Sequence, residues 1–190
     1  AEEIIIAVKK IALKLKKIQV VVCPPFIFFE KLKKHTGKLS NVALGAQNAF
    51  WENEGAFTGE VSPEMIRTFG GNYALLGHSE RRELGESDEM ISKKALACLK
   101  VGLKIIVCVG EKTRDDHGEY LEFLKNEIWN SLNKIQKRFL HNLIIAYEPI
   151  WAIGKKDADA MKPSDIHEIT IYIKKILSEI YGQESALAVP

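Results

Sequence analysis

The sequence predicts an α/β fold in which helices cover a parallel sheet. Short segments rich in Val, Ile and Leu alternate with longer segments whose apolar residues recur every three or four positions. The short segments are continuously apolar rather than alternating, which is typical of strands buried on both faces. The chain has 190 residues, the length of one domain. We therefore expect repeated strand–helix units within one domain over residues 1–190.

The N-terminal half is predicted to contain a helix and three strands. The opening helix has apolar residues at helical spacing: Ile4, Val8, Ile11, Leu15 and Ile18. The strands are predicted at 19–23, 42–47 and 72–77, with a helix over about 26–34 between the first two. Another helix should begin at Ser62-Pro63, because proline is favoured in the first turn.

The C-terminal half continues the same alternation. Ser87 should cap a helix, and strands are predicted at 104–109 and 142–147. Pro163 should begin the last long helix, and residues 186–190 resemble the start of a sixth strand. Two helices have apolar stripes: Leu121, Leu124, Ile128, Leu132, Ile135 and Phe139 in one, and Ile166, Ile169, Ile173, Ile176 and Ile180 in the other.

The number of strands indicates an incomplete barrel. A closed (β/α)8 barrel typically takes about 250 residues. The sequence offers five whole strands and the start of a sixth, and no strand precedes the first helix. We therefore expect a (β/α)8 barrel that is incomplete in this chain, as a single domain over 1–190 truncated at both ends.

Composition excludes several classes of protein. The formal net charge is +2 and the lysines are dispersed, which argues against a nucleic-acid partner. No run approaches the ~18 apolar residues of a membrane helix, so we expect no membrane partner. Three cysteines without a CxxC pair favour a reducing, cytoplasmic location. The N-terminus has the wrong charge order for a secretory signal.

Candidate chemistry lies where the strands end. Active sites of parallel α/β folds lie at the carboxyl ends of the strands. Polar residues follow the strands there, and we expect them to converge on one mouth although they are far apart in sequence. They are Gln47, Asn48, His78, Glu111 and Glu148.

His78 is a candidate electrophile. It is followed by residues 79–82, which can begin a short helix, and a helix N-terminus disfavours positive charge. A neutral imidazole there could donate a hydrogen bond to a substrate oxygen. The alternative is a structural histidine that caps a strand end, which is the more common role of an isolated histidine.

Glu148 is a candidate base. It lies between Tyr147 and Pro149 at the end of an apolar strand, where partial desolvation makes a carboxylate more basic. Residues 149–154 are apolar although a loop is expected, which suggests a lid that closes over a ligand. The alternatives are a surface glutamate and a loop packed permanently on the core.

Four segments of the sequence read GHSERR at 77–82, AYEPIWAIG at 146–154, GAQN at 45–48 continuing to GAFTGE at 55–60, and VCVGE at 107–111. They closely resemble the triosephosphate isomerase family, in the family's order and spacing over essentially the whole chain. The resemblance implies a TIM barrel and an isomerase that interconverts dihydroxyacetone phosphate and glyceraldehyde 3-phosphate, in glycolysis and gluconeogenesis, without a metal or organic cofactor.

The resemblance also implies residue roles. Glu148 would be the base that moves a proton between adjacent carbons, and His78 would polarise the carbonyl. Gly154 matches the lid glycine whose N–H binds the substrate phosphate, and Glu80 matches a supporting carboxylate. Thr58 lies at the tip of the loop that, in the family, inserts into the partner subunit of a homodimer.

The sequence departs from the family pattern in its phosphate contacts. No lysine can be assigned to the family's phosphate-gripping lysine, and the family's last two phosphate-binding loops have no counterpart before Pro190. The lid continues as Lys155-Lys156-Asp157 instead of Thr-Gly-Lys, which alters its second hinge. A catalytically inactive fragment of the family that cannot bind phosphate is therefore a second hypothesis. Another phosphate-binding barrel enzyme is a weaker third one.

Overall fold

Five strands form one sheet in the computed structural model of the chain. The structure describes residues 1–15, 17–36, 41–154 and 160–190. The strands are β1 Val20–Val22, β2 Val42–Ala46, β3 Gly71–Leu76, β4 Lys104–Val109 and β5 Leu143–Tyr147, hydrogen-bonded in that order. The pairs β1–β2 and β2–β3 are parallel. All five predicted strands are present, with ends that differ from the expected ones by at most one residue.

Helices alternate with these strands as predicted. They are α1 Glu2–Ala12, α2 Phe29–Lys33, α3 Pro63–Thr68, α4 Ser79–Glu83, α5 Asp88–Lys100, α6 Glu119–Leu132, α7 Pro163–Tyr181 and α8 Gln183–Leu187. Short 3-10 helices cover Phe26–Phe28, Lys137–Asn142 and Ile150–Ala152. The Oγ atoms of Ser62 and Ser87 accept hydrogen bonds from Met65 N and Met90 N, so the predicted Ser87 cap forms and Ser62 caps α3 as well. None of the helices in the described ranges is long and apolar enough to cross a membrane.

The first compact unit comprises residues 1–76 and 93–106. Its core is built on β2 and β3, where Leu44 and Ala74 are fully buried. The predicted face of α1 is wrong. Ile5 and Ala12 are the buried residues of this helix, whereas Ile4 and Ile11 are 63% and 61% exposed. Isoleucines lie on more than one side of α1, so spacing alone could not select the side that packs.

The second compact unit comprises residues 77–92 and 107–190. The facing stripes of α6 and α7 form its core, with Leu124, Ile128, Ile169, Ile173 and Ile176 all buried. Tyr181 closes this core, since its hydroxyl donates a 2.5 Å hydrogen bond to the Leu132 carbonyl.

The predicted sixth strand is not formed at 186–190. Residues up to Leu187 belong to α8, and the Lys174 ammonium donates hydrogen bonds to the carbonyls of Ala186 and Val189 just beyond. The contact with Ala186 satisfies one of the carbonyls left open at the end of α8. Only Pro190 reaches β5, where its carbonyl accepts a 3.1 Å hydrogen bond from Ile145 N.

Candidate active site

His78 lies at the junction between β3 and α4. Gly77 has a φ of 68°, a left-handed conformation that glycine adopts without strain, and it turns the chain from strand to helix. His78 is the N-cap of α4, and its Nδ1 accepts a 3.3 Å hydrogen bond from Glu80 N. The Glu80 carboxylate is farther from Nδ1, at 3.8 Å. A ring nitrogen that accepts carries no proton, so the proton of a neutral imidazole is on Nε2.

His78 and Glu148 face each other in the second unit. His78 Nε2 lies 3.4 Å from Glu148 Oε1, and the two side chains are 29% and 31% exposed. The other carboxylate oxygen of Glu148 accepts a 3.3 Å hydrogen bond from Ser79 Oγ. Both groups are thus within reach of one ligand while partly shielded from water.

The backbone of Glu148 is held against the end of β4. Glu148 N donates a 2.8 Å hydrogen bond to the Val109 carbonyl. A Cβ on Gly110 would lie only 1.9 Å from the Glu148 carbonyl oxygen. Glycine at position 110 therefore permits a backbone approach that no other residue type could allow.

Glu111 anchors the segment that follows Glu148. Its carboxylate is buried and accepts hydrogen bonds from Tyr147 Oη at 2.9 Å and from Trp151 Nε1 at 2.7 Å. Burial, and then the negative charge of Glu111, raise the pKa of the Tyr147 hydroxyl above its usual value. Sequence reasoning placed Glu111 at a strand end but missed this role. The sequence signal for this role was the presence of two side-chain donors, Tyr147 and Trp151, on either side of Glu148.

The lid segment begins on this anchor. Residues Ile150–Ala152 form a 3-10 helix, and Ile150 N donates to the Glu111 carbonyl at 3.0 Å. Gly154 is exposed, with a φ of 74°. The altered second hinge at Lys155-Lys156-Asp157 lies outside the described residues.

An ion pair between half-buried Arg82 and buried Glu127 lies close to the same strand ends. Arg82 Nε donates to the Gly77 carbonyl at 2.8 Å and is 3.2 Å from Glu127 Oε1. Glu127 Oε2 accepts a 2.8 Å hydrogen bond from Gly110 N. Burial raises the pKa of Glu127 to about 7, although the positive charge of Arg82 opposes the shift. The sequence pattern did not single out Glu127, because acidic residues are common along α6.

Three other predicted residues lie in the first unit. Gln47 Nε2 donates to the Cys23 carbonyl at 3.1 Å, and Asn48 Oδ1 accepts from Lys94 Nζ at 2.9 Å. Thr58 is exposed at the tip of its loop. The structure thus brings His78, Glu111 and Glu148 together within the second unit, while Gln47 and Asn48 are engaged in contacts of the first.

The whole chain matches the model of one protein family. The triosephosphate isomerase family model matches residues 1–190. The chain is 41% identical over 172 residues to the triosephosphate isomerase of Thermoanaerobacter pseudethanolicus, covering 90% of this chain and 68% of that protein. It is 40% identical over 173 residues to that of Caldanaerobacter subterraneus subsp. tengcongensis, with the same coverages. The enzyme of Carboxydothermus hydrogenoformans is 42% identical over 171 residues, covering 89% of this chain and 67% of that protein.

These matches agree with the fold. The parallel strands and the alternating helices are those of a (β/α)8 TIM barrel, and five of its strands are present in the described residues. The predicted fold class, an incomplete barrel of this type, is therefore confirmed. The chain belongs to the triosephosphate isomerase family.

Proposed function

We propose that this chain is an aldose–ketose isomerase acting on triose phosphates, which interconverts dihydroxyacetone phosphate and D-glyceraldehyde 3-phosphate through an enediol. The observation that carries the proposal is the 3.4 Å approach of His78 Nε2 to Glu148 Oε1, with the imidazole proton directed to the same side. The family is the usual example of a glutamate base paired with a neutral histidine. The names of its relatives support the same substrate.

Each residue of the pair has one task in this mechanism. Glu148 removes a proton from the carbon next to the carbonyl, and the electron pair of the broken C–H bond forms the C=C bond of the enediol. His78 gives its Nε2 proton to the carbonyl oxygen, which becomes a hydroxyl. Glu148 then returns its proton to the neighbouring carbon, and His78 recovers a proton from the other hydroxyl. Neither step uses a metal or an organic cofactor.

Other residues would bind and orient the substrate. We assign the Gly154 N–H to the substrate phosphate and the Glu80 carboxylate to support of His78. Glu148 currently accepts a hydrogen bond from Ser79, so substrate binding must replace this contact. Anchoring of the lid by Glu111 keeps its first hinge in place while the exposed Gly154 end closes.

Location and assembly follow the family. We propose a cytoplasmic glycolytic enzyme, because the three cysteines form no disulfide with one another and disulfides are rare in that compartment. We also propose a homodimer formed through the loop around Thr58. Phe57, which is 44% exposed beside Thr58, provides apolar surface for such a contact.

A second candidate is a family member without isomerase activity. Gly154 is the residue that we assign to phosphate binding, and among the residues that the structure describes we assign no lysine to the family's phosphate-gripping role. Each charge-assisted hydrogen bond that is missing would cost about 1.5–3 kcal/mol of binding free energy. On this view the 190-residue polypeptide retains the site residues but turns over negligibly.

Proton exchange separates the two candidates. Dihydroxyacetone phosphate is incubated with the polypeptide in D2O, and deuterium incorporation at the carbon next to the carbonyl is followed by NMR. The isomerase predicts exchange that Glu148→Asp slows by roughly 100-fold or more. The matched control, Glu122→Asp on the exposed side of α6, should leave the rate unchanged. Absence of exchange supports the inactive candidate, and equal rates in both variants refute Glu148 as the base.

A further inference from the structure

An ion pair with a buried carboxylate is unusual enough to need an explanation. The Glu127 side chain is 3% exposed and that of Arg82 is 13% exposed, with Nε and Oε1 3.2 Å apart. Removing charges from water is costly, and well-packed apolar residues often stabilise a core equally well. What apolar residues cannot do is bind specific backbone N–H and C=O groups.

Each member of the pair binds the backbone next to a proposed catalytic residue. Arg82 donates to the carbonyl of Gly77, the residue before His78. Glu127 accepts from Gly110 N, and Gly110 lies directly against the Glu148 carbonyl. A continuous series of contacts therefore runs from the start of α4, through the ion pair, to the backbone of Glu148.

Arg82 also binds a second carboxylate. Arg82 Nη1 donates a 2.6 Å hydrogen bond to Asp88 Oδ1 at the start of α5. The guanidinium is planar and presents its donors in a fixed geometry. Binding to Asp88, Glu127 and Gly77 at once leaves Arg82 little freedom to rotate.

We propose, on the basis of the isomerase function above, that Arg82 and Glu127 are positioning residues that hold His78 and Glu148 at their working separation. They do not contact the substrate. Their effect passes through the Gly77 carbonyl on one side and the Gly110 N–H on the other. The residues that face each other in this device come from α4, α5, α6 and the end of β4.

The charge of Glu127 gives the device a pH dependence. Glu127 faces Arg82 on α4, Asp88 on α5 and Glu111 after β4. Its pKa of about 7 means that the ion pair forms as the pH rises through neutrality. The geometry of the His78–Glu148 pair should therefore be best defined above about pH 7, and Glu127→Gln should resemble the unsubstituted protein at lower pH.

Glu127→Gln tests the proposal directly. Glutamine keeps an oxygen that can accept from Gly110 N but loses the charge that pairs with Arg82. We measure the 15N signals of the His78 imidazole across pH 5.5–8.5 in the 190-residue chain, together with kcat and KM for dihydroxyacetone phosphate. The expected results are a shifted Nε2 signal without a step near pH 7 and, above pH 7, a kcat about 10- to 100-fold lower with KM within about twofold. Glu122→Gln, exposed on the same helix, is the control and should change neither.

A second variant protects the test against misfolding. Arg82→Lys keeps the positive charge but cannot bind Gly77, Glu127 and Asp88 together, so it should shift the same His78 signals. The proposal is overturned if both folded variants match Glu122→Gln, or if neither variant folds, since the pair is then merely structural. Absence of turnover in the unsubstituted chain refutes the isomerase alone, because the His78 signals still report on positioning.

Discussion

Gly110→Ala is the substitution for which the structure predicts the largest effect. A Cβ at this position would lie 1.9 Å from the Glu148 carbonyl oxygen and 2.5 Å from its carbonyl carbon. Both atoms are backbone, so no rotamer change can relieve the overlap. To reach van der Waals contact, the Glu148 backbone must retreat by about 1.5 Å.

The magnitude follows from that displacement. Overpacking a filled site costs about 1–3 kcal/mol, and we expect the upper end, about 3 kcal/mol of unfolding free energy. Moving Glu148 by more than 1 Å should also slow proton exchange by about 100-fold or more. Both effects have one cause, since the residue that must move is the proposed base.

The assay is urea unfolding of the variant beside a matched glycine substitution. Gly85 has a φ of 94°, and an added Cβ would meet nothing within 4 Å, so Gly85→Ala introduces backbone strain without overlap. Its cost should be about 1 kcal/mol. An unfolding free energy of Gly110→Ala equal to that of Gly85→Ala would refute the reasoning, because overlap with Glu148 would then have no consequence.

Three further outcomes are expected. Tyr147→Phe leaves buried Glu111 without one of its donors, so the unfolding free energy should fall by about 1–3 kcal/mol in urea, and an unchanged value would contradict this role of the hydroxyl. The folded-state pKa of Glu127, about 7 against an ordinary 4.5, means that its contribution to stability is fully present below pH 4.5 and is lost as the pH rises through 7. The loss should be roughly 3 kcal/mol of unfolding free energy. In urea denaturation at a series of pH values, Glu127→Gln should not show this loss, and an identical pH dependence in the two proteins would argue against the prediction. Thr58→Arg should weaken the proposed dimer at least about tenfold in sedimentation experiments, through steric and charge mismatch. Thr170→Arg, at an exposed position of α7, should not weaken it, and equal behaviour of the two variants would exclude the Thr58 loop as the contact.

Periodicity predicted the secondary structure well where the pattern of apolar residues fits only one type of element. The apolar runs located all five strands, although β1 and most of β5 are half-buried rather than buried on both faces as expected. The stripe of α6 was extended too far, because α6 ends at Leu132 and Phe139 lies in the following 3-10 helix. The prediction of a strand at the C-terminal segment was wrong. Its Ala, Leu and Val residues fit either a strand or a short helix, and the contacts of Lys174 stabilise the helix.

The candidate site was predicted in part. His78 and Glu148 could be identified because each follows an apolar strand in a distinctive local motif. Glu127 could not, since the pattern of α6 does not distinguish it from exposed Glu122. Only the side on which the helix packs makes one of these acids buried and the other solvated.

The sequence by itself determined the order of strands and helices, the family and the two residues proposed to carry out the chemistry. These depend on local patterns and contiguous motifs, which can be recognised one segment at a time. The tertiary structure alone decided the 3.4 Å approach of His78 to Glu148, the acceptor role of Nδ1 and the close passage of Gly110. Each of these is a distance or orientation set by how the elements pack, which no local pattern encodes.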